Sequence, residues 1–86
     1  MSESMNMITL LLFATMRALI GERKMDLEIQ PGSHVRDLRA QLSAQYPHAA
    51  QALKATLFSI NREFATDEAL IPDGAEVAIF PQVSGG

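Results

Sequence analysis

Residues 8–14 read Ile8-Thr9-Leu10-Leu11-Leu12-Phe13-Ala14, and both parities of this run are apolar apart from Thr9. A strand with one wet face alternates between apolar and polar residues. A run that is apolar on both parities calls for cover or a partner on each face. Near the other end of the chain, Val77-Ala78-Ile79-Phe80 has the same character and is closed by Pro81. Pro81 has no N–H with which to continue a ladder, so the chain is expected to leave the sheet there. Two such strands at opposite ends of one chain belong side by side in the middle of a sheet.

The segments between them supply the rest. Thr15 to Gly21 reads as a connection. Lys24 to Ile29 alternates, with Met25, Leu27 and Ile29 on one side, and can pair with the first strand as a hairpin. Pro31-Gly32 is a turn, and Ser33 is the expected N-cap of the helix that follows. In that helix Val35, Leu38, Leu42 and Tyr46 form the apolar stripe, with Arg36, Asp37, Arg39 and Gln45 mostly on the wet side. Pro47 stops it, and His48 to Ala55 forms a second short helical stretch packed through Ala52 and Leu53. Leu57 to Ile60 is a strand, Asn61-Arg62 a tight turn, Glu63 to Thr66 a short strand, Asp73-Gly74 another turn and Glu76 to Phe80 the last strand. The expected class is α+β, a β-grasp (ubiquitin-like) fold with a mixed sheet of about five strands packed on one main helix. Residues 1–6 are expected to be a loose N-terminal extension, 7–80 the folded domain and 81–86 a flexible tail.

Composition narrows the function classes. The 86 residues carry a net charge of −3 and are 48% hydrophobic and 20% charged, as in an ordinary soluble domain. Lys and Arg do not cluster, so there is no footprint for nucleic acid. The apolar run at 8–14 is far too short to cross a bilayer, and residues 1–6 do not resemble a signal peptide, which points to the cytoplasm. Without cysteine the chain forms no disulfide, thiolate metal site or cysteine nucleophile.

Catalytic constellations are also missing. His34 and His48 lack metal-ligand spacing, and His34 is expected to be a solvated side chain at a helix start. The serines have no neighbouring base, the turn glycines form no phosphate cradle, and no carboxylate pair stands out. No metal and no bound cofactor are expected. What remains is the end of the chain, Pro81-Gln82-Val83-Ser84-Gly85-Gly86. Fully extended, residues 81–86 reach roughly 20 Å, and glycines pass where any Cβ would be blocked. A terminal carboxyl group is ionised at neutral pH and is a poor electrophile. Activation by ATP to an acyl-adenylate would let it accept sulfur, giving a thiocarboxylate, or a lysine amine, giving an isopeptide.

Phe13, Phe64 and Phe80 are the candidate docking residues. Phe13 and Phe80 fall near the ends of the two adjacent strands, on the parity opposite Leu12 and Ile79. Exposed together near the base of the tail they would make an apolar patch; buried, they would complete the core. Arg17, just after the first strand, is placed to orient a carboxylate or to be solvated.

Phe13-Ala14-Thr15-Met16-Arg17 with Gly21, Asn61-Arg62, Asp73-Gly74-Ala75-Glu76-Val77-Ala78 and Phe80-Pro81-Gln82-Val83-Ser84-Gly85-Gly86 together resemble the MoaD family, the small subunits of molybdopterin synthase. The family often has an acidic residue where this chain has Ala18, and a second proline where it has Gln82. The resemblance implies a β-grasp sulfur carrier. Its terminal glycine, here Gly86, is adenylated by an ATP-using activating enzyme and converted to a thiocarboxylate. The tail, here Pro81, Val83, Ser84 and Gly85, then enters the large synthase subunit and supplies sulfur to cyclic pyranopterin monophosphate. Phe13, Phe64 and Phe80 match the family's apolar contact surface, and catalytic residues are expected on the large subunit. A carrier for thiamine thiazole synthesis shares the fold and the Gly-Gly end, but is usually shorter and lacks the Phe-Ala-x-x-Arg run. A ubiquitin-like modifier joined to lysines is a further alternative, as is an interaction domain whose Gly-Gly is incidental.

Overall fold

The computed structural model describes residues 4–82. In chain order it has β1 (Asn6–Leu12), α1 (Ala14–Ile20), β2 (Lys24–Ile29), α2 (Val35–Gln45), a 3-10 turn (Pro47–Ala49), α3 (Ala50–Leu53), β3 (Thr56–Ile60), β4 (Glu63–Ala65) and β5 (Glu76–Pro81). The strands form one sheet in the order β2-β1-β5-β3-β4. β1 runs parallel to β5 with Leu10 opposite Val77 and Leu12 opposite Ile79. β2, β3 and β4 join antiparallel to their neighbours. This is the expected mixed five-stranded sheet, with the two ends of the chain paired near its centre.

One face of the sheet carries the core. Ile8, Leu10 and Leu12 of β1, Leu27 and Ile29 of β2, Phe58 of β3 and Val77 and Ile79 of β5 are buried there at period two. Val35, Leu38 and Leu42, at helical spacing along α2, close over them with no exposed surface. Each such side chain stabilises the fold by about 1.5–3 kcal/mol on burial.

The opposite face is left half-covered. β1 and β5 call for cover or a partner on both sides, and this chain covers only one: Thr9, Leu11, Ala78 and Phe80 are only half-buried and Met7 is 44% exposed. α1, α2 and α3 all contribute buried side chains to the single core. Apolar residues on the second parity therefore mark a surface.

Six local readings are corrected. Thr15 to Gly21 is not a plain connection: Ala14–Ile20 is helical, buries Met16 and stops at Gly21, whose φ of 88° lets its N–H reach the Arg17 carbonyl at 2.8 Å. Ser33 is not the N-cap of α2. Its hydroxyl donates to the Gln30 carbonyl at 2.7 Å across the Pro31-Gly32 turn, and His34 takes the cap position. His34 is accordingly half-buried and not a free solvated ring. Arg39 leaves the wet side of α2 and lays its guanidinium over Phe58. Pro81 does not end the ladder: it lies in β5 opposite Thr56, and Gln82 still donates its N–H to the Ala55 carbonyl at 3.2 Å. A missing proline N–H costs only the bond that position would have donated, so the next residue can pair. β1 also begins earlier than expected, since Asn6, placed in the loose N-terminal extension, pairs with Ile29 of β2.

Candidate functional site

The half-covered face has a chemical gradient. The registers place Lys24, Leu11, Ala78, Ser59 and Phe64 in one row across all five strands. One step towards the C-terminal end of β5, Phe80 lies opposite Leu57. One step the other way, Asp26, Thr9 and Glu76 form a row, and a step beyond that Met7 lies opposite Glu28. The apolar half of the face is thus the half from which the C-terminal tail departs.

Three aromatics were singled out from the sequence, and the structure brings two into contact. The Phe64 and Phe80 rings lie 5.7 Å apart at 58°, a tilted pair. Phe64 is 78% exposed at its edge-strand position, so it adds little to the core. Phe13, 46% exposed, sits where β1 ends beside β5, its N–H donating to the Ile79 carbonyl at 3.2 Å. It is also the N-cap of α1, its carbonyl accepting from Met16 at 3.1 Å and Arg17 at 3.4 Å. Ala14 behind it has a φ of 50°, a left-handed conformation that L-residues adopt at a cost of about 1 kcal/mol. That sharp bend lets the chain pass directly from strand to helix and holds Phe13 at the corner.

Arg17 is exposed on α1, one turn beyond Phe13. Pro81 and Gln82, the root of the tail, are exposed beyond the Phe80 step. Val83, Ser84, Gly85 and Gly86 lie outside the described residues, and with them the expectations for tail insertion and for a reacting glycine.

Leu11 and Leu57 belong to the same surface and were not singled out from the sequence. Their signal was present, since each is a large apolar residue on the parity opposite a core residue. For Leu11 that parity calls for cover or a partner, and the strand containing Leu57 is too short for its parity to stand out. Among the described residues, no group of three His, Cys, Asp or Glu side chains is arranged to hold a metal ion. No helix there is long and apolar enough to cross a membrane.

Residues 10–86 match the ThiS family. The chain is 37% identical over 81 residues to the molybdopterin synthase sulfur carrier subunit of Chlamydomonas reinhardtii, covering 92% of this chain and 98% of that one. It is 32% identical over 79 residues to the protein of the same name from Arabidopsis thaliana, covering 92% and 82%. Among solved structures, small archaeal modifier protein 1 from Methanosarcina acetivorans superposes with a TM-score of 0.77 at 24% identity, over 98% of this chain and 100% of that one. Caldiarchaeum subterraneum ubiquitin superposes with a TM-score of 0.63 at 16% identity, over 96% and 100%. At such identities these two likenesses speak for the fold, which is ubiquitin-like.

Proposed function

The chain belongs to the ThiS family, and from that membership we propose that it is the sulfur-carrier subunit of a molybdopterin synthase. Both relatives named above carry that description, and the chain matches 98% and 82% of their lengths. The observation that carries the reading is the placement of an exposed aromatic surface at the sheet end from which the tail departs. A partner that grips this surface receives the tail alongside it.

In this reading Gly86 presents the reacting carboxylate. A separate enzyme transfers AMP from ATP to it, releasing pyrophosphate, and a sulfur donor then displaces AMP to leave a thiocarboxylate. Inside the large subunit the sulfur forms a C–S bond to cyclic pyranopterin monophosphate, displacing an oxygen substituent from the carbon it attacks. Hydrolysis of the resulting thioester leaves the sulfur on the product and returns the carboxylate to the carrier. ATP is consumed by the activating enzyme, and the carrier itself holds no cofactor. Catalytic acids and bases belong to the large subunit, and the cytoplasm is the compartment. Pro81, Val83, Ser84 and Gly85 are the segment that enters; Phe13, Phe64 and Phe80 dock, with Arg17 at the rim.

The test is a reconstitution. The chain is incubated with ATP, the activating enzyme and a sulfur source, its C-terminus is read by mass spectrometry, and the product is mixed with large subunit and precursor. Replacement of oxygen by sulfur at Gly86, followed by molybdopterin formation, is the expected result. Delivery to a thiazole synthase instead, or isopeptide conjugates on lysines, would overturn the proposal.

A further inference from the structure

Arg39 places its charge inside the fold, with only 22% of its side chain exposed. Its Nη2 donates to Oδ1 of Asp67 at 2.8 Å. Its Nη1 donates to the Leu53 carbonyl and stands 3.2 Å from both the carbonyl and the hydroxyl oxygen of Thr56. The guanidinium carbon lies 4.7 Å from the centroid of the Phe58 ring. Thr56 itself is buried and donates its hydroxyl to the Leu53 carbonyl at 2.8 Å. A planar fork can satisfy acceptors in several directions while stacking on a ring, which a lysine ammonium cannot do.

The turn that Arg39 fixes, residues 53–56, is also the one that holds the end of the chain. Thr56 pairs with Pro81, and the Ala55 carbonyl accepts the Gln82 N–H at 3.2 Å. Among the described residues these are the last backbone anchors before the tail. Where Gln82 is held sets the point from which the four remaining residues, with a reach of at most about 14 Å, must deliver their terminus. Misplacement of a reacting group by about 1 Å can cost on the order of a hundredfold in rate.

We infer that Arg39 is a positioning residue for the root of the C-terminal tail, acting through the 53–56 turn to hold Pro81 and Gln82 in place on the sheet. The inference rests on the sulfur-carrier reading. It separates two properties, because Arg39 lies over the core face of the sheet and the aromatic docking surface is on the other.

The test uses full-length carrier, wild type, Arg39→Lys and Thr56→Val, each thiocarboxylated beforehand by intein cleavage with sulfide so that activation is bypassed. Affinity for the large subunit, single-turnover sulfur transfer at saturating large subunit, and amide exchange at Gln82 are measured below the melting range. For Arg39→Lys the expected result is affinity within about twofold of wild type, transfer slowed roughly tenfold and faster exchange at Gln82. Thr56→Val should shift transfer and exchange in the same direction by less. An Arg39→Lys carrier that transfers at the wild-type rate overturns the inference, even if its Tm has fallen. Should Arg39→Lys fail to fold, Thr56→Val decides on the same criterion. Absence of transfer by the wild-type carrier would overturn the sulfur-carrier reading itself. The Gln82 exchange rates would then still decide whether Arg39 fixes the tail root.

Discussion

Asp37 closes the start of α2 from within its first turn. Its Oδ2 accepts the His34 backbone N–H at 2.8 Å and stands 3.2 Å from His34 Nδ1. The backbone bond, then the imidazole contact, hold its pKa below the ordinary 3.8, with slight desolvation opposing and the charges of His34 and Arg36 adding to the shift. A carboxylate with a depressed folded pKa contributes stability that is fully present above 3.8 and is lost as pH falls through the folded value. Asp37→Ala should therefore melt below wild type near about pH 7, and the gap should close towards about pH 2. Thermal melts across that range check this; a gap of constant size would show that the ionised carboxylate is not what holds the cap. The sequence made Ser33 the cap because serine is the better capping residue. The hydroxyl was already engaged by Gln30, a competition that only the turn geometry reveals.

At the scale of elements, the β3–β4 hairpin carries a strain that the sequence half disclosed. Asn61 and Arg62 have φ of 50° and 73°, the pattern of a two-residue type I′ turn. Asn61 tolerates this and also clamps β5, accepting the Glu76 N–H on its Oδ1 at 2.9 Å and donating its own N–H to the Glu76 carbonyl at 2.7 Å. Arg62 carries a side chain where glycine is preferred, and its 3.5 Å contact with Glu76 is too exposed to compensate much. Arg62→Gly should stabilise the fold by about 1 kcal/mol, measured by chemical denaturation. An unchanged or lowered stability would mean that this conformation carries no penalty for arginine. The turn was legible from Asn61-Arg62 between two strand-like runs. α1 was not: Met16, Leu19 and Ile20 are helically spaced, but seven residues give too few repeats for periodicity to separate a helix from a connection. Arg39 was misread for a related reason, since its acceptors lie 14 to 28 residues away and no local pattern announces them.

Considered as a whole, the molecule uses its two sheet faces differently. One is closed by α2 and holds the core; the other ends in Leu11, Leu57, Phe64 and Phe80 beside the tail root. The pairing of the two terminal strands was legible because both runs, apart from Thr9, are apolar on both parities, a pattern that suits the middle of a sheet. The uncovered face was not, because a parity pattern records apolarity but not whether this chain or another supplies the cover. If the cover is a partner, docking and chemistry should separate by mutation. Phe64→Ser removes a side chain 78% exposed and should leave stability within about 0.5 kcal/mol. It should weaken binding to the large subunit roughly 10- to 100-fold. At saturating partner its transfer rate should return close to that of wild type, because the lost contact serves binding equally in ground and transition states. Gly86→Ala should do the reverse, binding normally and failing to transfer however much partner is added. Titration and single-turnover kinetics on both variants form a crossed test. If Phe64→Ser lowers the saturated rate as much as Gly86→Ala does, the aromatic surface is not merely a grip. It would then share in placing the tail, and Arg39 would be one of two devices acting on it.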